Sequence, residues 1–257
     1  MIITIFTDGA SRGNPGPGGW GFVSVYEKAD ASGVVGRCVK EGGGAERVAT
    51  NNQMELLAAL RALEYVSTQK KSGAVVADDV VVHSDSSYMI NGITKWVAGW
   101  KRKGWITSTK TPVENRELWE GLDAVTAHLN ADGIQVRWQY VGGHIGVKGN
   151  ERCDVIATAL ATGKEVVPAL YNGHFSAYPI ADVLDISHSM EKKKDKGADR
   201  SRSKATAYSY VSAVNGDVQT HRTWKECEAR VKGVRGARFK KALSATEESI
   251  ISTEFSA

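Results

Sequence analysis

The 257-residue sequence is poor in cysteine and lacks any long apolar run. Its three cysteines, Cys38, Cys153 and Cys227, are far apart and form no Cys-x-x-Cys pair, which argues against a disulfide framework and a cysteine-rich zinc site. No apolar stretch approaches the roughly 20 residues that a membrane span needs. Met1 leads directly into a strand-like segment, without the basic and apolar regions of a secretory leader. These absences predict a cytoplasmic protein with no membrane anchor.

The charge balance is uneven along the chain, although the net charge is only +4. Residues 190–241 contain 15 Lys and Arg against 6 Asp and Glu. Such a basic segment favours a polyanionic partner, attached to a nearly neutral body. A solvated, lysine-rich surface is the alternative that charge alone leaves open.

Alternating apolar residues and glycine-rich turns predict a mixed α/β fold in the first 163 residues. Three strands joined as hairpins come first, followed by a helix, a strand, three helical segments, a strand and a helix. This order predicts a mixed sheet of five strands with helices on its faces. The predicted strands are 2–7, 20–26, 34–39, 78–85 and 134–141. The main predicted helices are 51–66, 111–129 and 150–162, and an asparagine is expected to cap the first of them.

The remaining chain predicts a linker and a second, smaller domain. Residues 164–205 are interpreted as a linker, charged and flexible from about 190, because that part has too few apolar side chains to offset its ordering entropy. Whether 164–189 packs on the first domain stays open. Residues 206–257 predict a small α+β domain, with a strand-turn-strand around Asn215-Gly216 and a helix over 223–232.

Four carboxylates stand at the ends or inner turns of predicted elements. Asp8 ends the first strand, Glu55 lies in the first helix, Asp85 ends the fourth strand, and Asp154 lies in the last helix of the first domain. Taken singly, each is more often a helix cap or a surface charge. A buried cluster of four would require neutralising cations, and oxygen ligands favour hard divalent ions. Two such ions can promote an in-line phosphodiester displacement.

Four segments, in the same order, closely resemble type 1 ribonuclease H. They are FTDGASRGNPGPGGWG (6–21), NNQMELLAA (51–59), HSDSSYMINGITKWVAGWKRKGW (83–105) and GGHIGVKGNERCD (142–154). The resemblance implies a mixed five-stranded sheet flanked by helices. It also implies endonucleolytic hydrolysis of the RNA strand of RNA·DNA hybrids with two Mg²⁺ or Mn²⁺ ions, leaving 3′-hydroxyl and 5′-phosphate ends. By the same resemblance the metal ligands are Asp8, Glu55, Asp85 and Asp154.

His144 lies in a Gly-Gly-His-Ile-Gly loop, where the matching histidine of the family helps protons leave the site. A histidine titrates near neutral pH, which suits this work. Most loop histidines simply face solvent, so the assignment depends on the motif. His83, in an apolar strand two residues before Asp85, is interpreted as structural.

The resemblance also assigns contacts to the hybrid. Asn14, Asn51 and Gln53 match positions that contact its minor groove or backbone, and Thr50 matches a residue of the DNA-phosphate pocket. Amide groups suit this task because the 2′-hydroxyl distinguishes RNA from DNA. For Asn51, a purely structural role as helix cap stays open.

A basic, tryptophan-rich tract resembles the protrusion of bacterial members. Lys101, Arg102 and Lys103 would bind phosphates of the DNA strand, with Trp96 on the same surface. The tryptophans are expected to pack the protrusion rather than to stack on bases. Ser87 departs from the family, which commonly has glutamine there, so a backbone contact is lost or bridged by water.

The segment HRTWKECEARVKGVRGARFKK in the second domain resembles the hybrid-binding domain at the amino terminus of eukaryotic ribonucleases H. The resemblance implies that this module tethers the hybrid, and double-stranded RNA stays open as a second ligand. The alternative is that its aromatic residues form only the core of a small domain. The assigned residues are Trp224 and Phe239 for an aromatic platform, and Arg238, Lys240 and Lys241 for phosphates.

Two other functions compete with this interpretation of a monomeric ribonuclease H. A DNA nuclease of the same superfamily would use identical metal chemistry, but the exonuclease signature has a second acid where this chain has Ala10. A non-catalytic protein that binds hybrids or double-stranded RNA would tolerate loss of the carboxylates, and all four are present.

Overall fold

A computed structural model describes residues 1–29, 33, 35–73, 77–187, 206–234 and 236–256. The chain divides into two compact units, Met1–Glu191 and Lys192–Ala257. No helix among the described residues combines the length and the apolar character that crossing a membrane requires.

The first unit contains a mixed sheet with the strand order β5-β4-β1-β2-β3-β6. The β1–β2, β2–β3 and β3–β6 pairs are antiparallel, whereas β1–β4 and β4–β5 are parallel. The predicted α/β class is therefore confirmed, but the sheet has six strands instead of five. The strands are β1 (Ile2–Ser11), β2 (Gly16–Ala29), β3 (Val35–Ala49), β4 (Asp79–Ser84), β5 (Gln135–Tyr140) and β6 (Asn172–His174).

Helices cover both faces of this sheet. The helices are α1 (Asn51–Lys71), α2 (Ser87–Asn91), a π-helical turn (Gly92–Trp96), α3 (Val97–Arg102), α4 (Arg116–Ala131) and α5 (Lys148–Ala161). Helices α1 and α4 pack on one face, where Ile3 and Ile5 of β1 lie in the larger apolar cluster. Phe6 points to the other face and joins a second cluster with Cys153 of α5. The central strand is thus buried on both sides.

The chain beyond α5 folds back on the first unit. Strand β6 pairs with the outer edge of β3, and a 3₁₀ turn (Phe175–Ala177) follows it. Tyr171, Phe175, Tyr178 and Val183 belong to the second apolar cluster. The segment up to residue 187, whose packing the sequence left open, thus buries apolar side chains against the sheet. The part predicted to be flexible, from about 190 to 205, lies outside the described residues.

The second unit is a small α+β domain, as predicted. Its antiparallel sheet has the order β8-β7-β9, formed by β7 (Ser209–Val214), β8 (Asp217–His221) and β9 (Arg238–Ala242). Asn215 and Gly216 both have positive φ, as the predicted two-residue hairpin turn requires. The described residues of this unit also form the helices α6 (Trp224–Val231) and α7 (Ala245–Ser256).

Candidate active site

Three of the four predicted carboxylates converge at one end of the first sheet. Asp8 lies on β1, Asp85 directly follows β4, and Glu55 lies in α1. Ligand oxygens of the three lie within 4.8 Å of one another. Asp8 and Asp85 meet because β1 and β4 are adjacent parallel strands, in which Phe6 pairs with His83.

Gly9 allows α1 to approach β1 closely enough to bring Glu55 into the cluster. A Cβ atom at position 9 would lie 2.3 Å from the backbone nitrogen of Glu55 and 2.4 Å from the carbonyl carbon of Met54. Any side chain there would push the helix away from the strand. The backbone N–H of Gly9 also donates to Oδ1 of Asp8 at 2.8 Å, which helps to fix that carboxylate.

The cluster is electrostatically unfavourable without a cation. Burial, followed by the charges of Asp85 and Asp154, raises the pKa of Asp8 to about 8. Burial and the charge of Asp8 raise the pKa of Glu55 well above its usual range, and burial raises the pKa of Asp85. Oε2 of Glu55 is buried without a hydrogen-bond partner among the described residues. An oxygen-rich, negatively charged and partly unsatisfied donor set of this kind fits divalent cations.

Asp154 lies beside the three carboxylates instead of among them. Its charge reaches the cluster, because it contributes to the raised pKa of both Asp8 and Asp85. Its Oδ1 accepts a hydrogen bond from Oγ1 of Thr158 at 3.1 Å, and its Oδ2 lies 4.0 Å from Nδ1 of His144. Asp154 and His144 therefore face the same side of the cluster.

His144 is an exposed side chain on an anchored loop. Its side chain is 80% exposed and its φ is +51°, in the left-handed region. The next residue, Ile145, packs in the second apolar cluster, and the N–H of Gly146 donates to Oε1 of Glu151 at 3.1 Å. The imidazole is thus accessible while the backbone beneath it is held.

The four residues predicted to contact the minor groove or a DNA phosphate lie together at the start of α1. Thr50 and Gln53 form a reciprocal capping box, so the predicted asparagine cap is wrong and Thr50 caps the helix. The N–H of Asn51 donates to Oδ1 of Asn14 at 3.2 Å, and Nδ2 of Asn51 lies 3.5 Å from Oε1 of Glu55. The structure therefore places Asn51 directly beside Glu55, and Asn14 next to Asn51.

The basic tract forms a tryptophan-packed protrusion. Trp96 is 38% exposed, and the centre of its ring lies 5.7 Å from that of the Trp100 ring. Nζ of Lys101 pairs with Asp123 at 2.5 Å. Arg102 and Lys103 are exposed, and within the described ranges no carboxylate pairs with them. These last two cations are therefore the ones available to phosphates.

Ser87 occupies the first position of α2, where its side chain is exposed. Its backbone carbonyl accepts a hydrogen bond from Nδ2 of Asn91 at 2.6 Å. The hydroxyl faces solvent near the helix start, which leaves room for a bridging water in place of a longer amide.

The second unit presents an exposed aromatic surface on one face of its sheet. The rings of Tyr210 and Trp224 lie 5.7 Å apart, and those of Trp224 and Phe239 lie 5.2 Å apart. Trp224 is 40% and Phe239 is 52% exposed, while Ile251 and Phe255 of α7 fill the core on the other face. The core therefore does not depend on the two predicted platform residues.

The predicted cations of this unit do not all share that surface. Side chains alternate along β9, so Lys241 lies on the same face as Phe239, whereas Arg238 and Lys240 lie on the face covered by α7. Arg238 donates to the carbonyl oxygen of Phe255 at 2.8 Å, and Lys240 pairs with Glu254 at 2.9 Å.

Sequence reasoning missed Asn150, which supports the cluster from α5. Asn150 is 3% exposed, and hydrogen bonding by its side chain lowers the pKa of Asp85 and so partly offsets the effect of burial on that carboxyl. The signal was present, because Asn150 stands in the Gly-Asn-Glu-Arg-Cys-Asp run beside Asp154. A polar residue on the buried side of a helix start next to a ligand motif is a candidate for orienting the ligands.

Comparison with known proteins agrees with this geometry. The RNase H family model matches residues 1–162, and a model of the ribonuclease H1 N-terminal domain matches residues 219–247. A ribonuclease H of a Cyanothece species is 47% identical over 164 residues, which cover 64% of this chain and 92% of that protein. A ribonuclease H of Bradyrhizobium diazoefficiens is 48% identical over 157 residues, covering 61% and 87%.

A solved structure shows the same fold. The crystal structure of LC9-RNase H1, a type 1 RNase H with the type 2 active-site motif, is 26% identical, with a TM-score of 0.52. The match covers 74% of this chain and 85% of that chain. Since the family model spans more than half of the chain and the curated relatives are covered almost completely, this chain belongs to the ribonuclease H family.

Proposed function

We propose that this ribonuclease H hydrolyses the RNA strand of RNA·DNA hybrids with two Mg²⁺ ions, leaving 3′-hydroxyl and 5′-phosphate ends. We further propose that it acts as a monomer in the cytoplasm. The observation that carries the proposal is the cluster of Asp8, Glu55 and Asp85 within 4.8 Å, with raised pKa values and an unpartnered buried oxygen.

Asp8, Glu55, Asp85 and Asp154 would hold the cations. Bound there, divalent ions would supply an activated water and neutralise charge on the attacking and leaving oxygens of the phosphodiester. Asn150 orients Asp85 through its amide, and the N–H of Gly9 orients Asp8. His144, exposed and close to Asp154, would accept the proton that the attacking water loses and carry it out of the site to solvent.

Recognition of the hybrid would combine amides and cations. The amides of Asn14, Asn51 and Gln53 lie together at the start of α1, where Asn51 contacts Glu55, and there they can meet the 2′-hydroxyls of the RNA strand. Arg102 and Lys103 would bind phosphates of the DNA strand. This arrangement favours a hybrid over a DNA duplex, because a DNA duplex has no 2′-hydroxyl for the amides to bind.

A substrate panel tests the proposed function. Wild-type protein with Mg²⁺ is incubated with hybrid, double-stranded DNA and double-stranded RNA, each strand carrying its own label. We expect cleavage of the RNA strand of the hybrid alone, and none in the presence of a chelator. Cleavage of DNA would favour a superfamily DNA nuclease, and binding without cleavage would favour a non-catalytic hybrid-binding protein.

The second unit would hold the same hybrid while the first unit cuts it. Trp224 and Phe239 would pack against the hybrid, with Lys241 on the same face of the sheet. Because both units belong to one chain, binding by one raises the local concentration of hybrid at the other.

The double variant Trp224→Ala/Phe239→Ala tests this tethering. Because the double variant removes both aromatic contacts with the hybrid, we expect KM on long hybrids to rise roughly tenfold, equivalent to about 1.4 kcal/mol, at unchanged kcat. A hybrid of about 10 base pairs, one helical turn, should be cleaved as by wild type. Steady-state kinetics on both lengths measure the effect.

Ile250→Ala is the matched control, since Ile250 is an exposed apolar residue, at 61%, on the helix that covers the opposite face. It should leave both KM values unchanged. Equal KM values for the double variant and wild type on long hybrids would refute tethering by the aromatic surface.

A further inference from the structure

A completely buried ion pair joins β3 to α5. The side chain of Glu41 is 0% exposed and that of Arg152 is 3% exposed. Nε of Arg152 donates to Oε1 of Glu41, and Nη2 of Arg152 donates to Oε2 of Glu41, both at 2.8 Å. This two-pronged geometry fixes the angle of the guanidinium as well as its position.

The segment that follows α5 supplies the remaining hydrogen bonds of this pair. The hydroxyl of Tyr178 donates to Oε1 of Glu41 at 2.6 Å, and the N–H of Tyr171 donates to Oε2 at 3.0 Å. Arg152 in turn donates to the carbonyl oxygens of Pro168 at 2.6 Å and Val167 at 3.3 Å. The pair therefore links β3, α5 and a segment that lies beyond residue 162, where the match to the family model ends.

The same segment also supports the His144 loop through apolar contacts. Phe175 and Val183 belong to the cluster that contains Val147 and Ile145, which flank the loop glycine at 146. His144 directly precedes Ile145 in the chain. Packing of the segment beyond α5 thus reaches the residue next to the predicted proton carrier.

Helix α5 connects the ion pair to the active site. Arg152 and Asp154 are two residues apart, so at 100° per residue they project about 200° apart around the helix axis. Arg152 faces the buried network while Asp154 lies beside the carboxylate cluster. A rotation or shift of α5 that loosens Arg152 therefore moves Asp154, and it moves Glu151, which holds the loop through Gly146.

We infer that Glu41, Arg152 and Tyr178 are positioning residues that lock α5 so that Asp154 and His144 are correctly placed for hydrolysis. The inference rests on the proposed function, and it assigns a catalytic purpose to the segment between α5 and residue 187. None of the three residues touches the carboxylate cluster itself, so their effect is exerted through the helix and the loop.

Full-length Arg152→Lys and Tyr178→Phe test the inference. Lysine keeps the charge but cannot reproduce the two-pronged contact or the bond to Pro168. Because a misplacement of about 1 Å can cost up to about 100-fold in rate, we expect kcat to fall by about tenfold in Arg152→Lys and by about threefold in Tyr178→Phe. KM for the hybrid should stay within about twofold of wild type, as expected when substrate binding is retained.

Tyr65→Phe is the matched control, because its hydroxyl contacts Tyr26 at 2.9 Å in the same unit, without a described link to α5. It should keep wild-type kcat. Hydrogen–deuterium exchange on the metal-free proteins gives a readout independent of activity. We expect faster exchange in residues 142–161 of Arg152→Lys and Tyr178→Phe, and wild-type exchange there in Tyr65→Phe.

Unchanged kcat in Arg152→Lys, an effect on KM alone, or an equal loss in Tyr65→Phe would overturn the inference. So would wild-type exchange in residues 142–161 of Arg152→Lys. If wild-type protein cleaved no hybrid, the proposed function would fail, and the exchange data would still decide whether the network holds α5 and the loop.

Discussion

Asp8→Asn is expected to abolish hybrid cleavage, by about 10³-fold or more, while making the metal-free protein more stable. The loss follows because the amide cannot supply the negative oxygen that a divalent cation needs, and metal-assisted displacement depends on that cation. The gain follows because asparagine keeps the acceptor for the N–H of Gly9 but removes one of the mutually repelling buried charges.

The stability gain should depend on pH in a defined direction. The folded-state pKa of Asp8 is about 8, above its ordinary value of 3.8, so the folded state holds this proton where the unfolded state has lost it. The unfolded state gives up this proton above about pH 4 while the folded state keeps it up to about pH 8, so the stability of the wild type falls as pH rises across that range. Since one pKa unit corresponds to about 1.4 kcal/mol, the advantage of Asp8→Asn should be largest near pH 8 and vanish near pH 4.

Thermal unfolding without divalent ions measures this effect. We expect the transition of the variant to lie about 5 °C or more above wild type at pH 8, because 1 kcal/mol moves Tm by about 2–4 °C in a unit of this size. Asp132→Asn, at a surface carboxylate beside His128, is the control and should change neither activity nor Tm. A less stable Asp8→Asn at pH 8 would contradict the repulsive cluster.

His144→Ala is expected to lower kcat by roughly 100-fold while KM stays nearly unchanged, because positioned proton transfer contributes about 10²–10⁴-fold to rates. The imidazole is 80% exposed and packs little, so its removal should not unfold the protein. Steady-state kinetics on a hybrid measure both constants.

His128→Ala is the matched control, since His128 is also an exposed histidine, paired with Asp132 at 3.6 Å on α4. It should behave as wild type. A rise in KM alone for His144→Ala would show that the loop binds substrate instead of moving a proton.

The sequence predicted the metal-ligand candidates better than it predicted the sheet. Asp8, Glu55, Asp85 and Asp154 were assigned through the resemblance of four segments to ribonuclease H, and each of those segments is a local run of sequence. Strand β3, in contrast, extends ten residues beyond the predicted end at 39. Glycines 42–44 suggest a turn, yet Gly42 and Gly44 lie beneath the rings of Phe22 and Trp20 on β2, where a Cβ would collide.

The segment beyond α5 could not be placed from the sequence for a related reason. Its apolar residues have no helical or strand period, and β6 is only three residues long. Its position depends on the bonds of Tyr171 and Tyr178 to Glu41, which is 130 or more residues away in the chain. Such contacts leave no local pattern.

The cations of the second unit were predictable from strand alternation. The run Arg-Phe-Lys-Lys-Ala of β9 places Phe239 and Lys241 on one face and Arg238 and Lys240 on the other. Grouping all three cations with the aromatic platform overlooked this period of two. Helix α7 covers the face that carries Arg238 and Lys240, whereas Phe239 and Lys241 lie on the opposite face of the sheet.

The central claim is that the carboxylates converge to share two divalent cations at a ribonucleotide linkage. The most direct measurement counts Mn²⁺ bound per chain by electron paramagnetic resonance, with hybrid added and the sample frozen before cleavage. We expect two ions per wild-type chain and at most one in Asp8→Asn. No bound ion in the wild type, or undiminished binding in Asp8→Asn, would contradict the account.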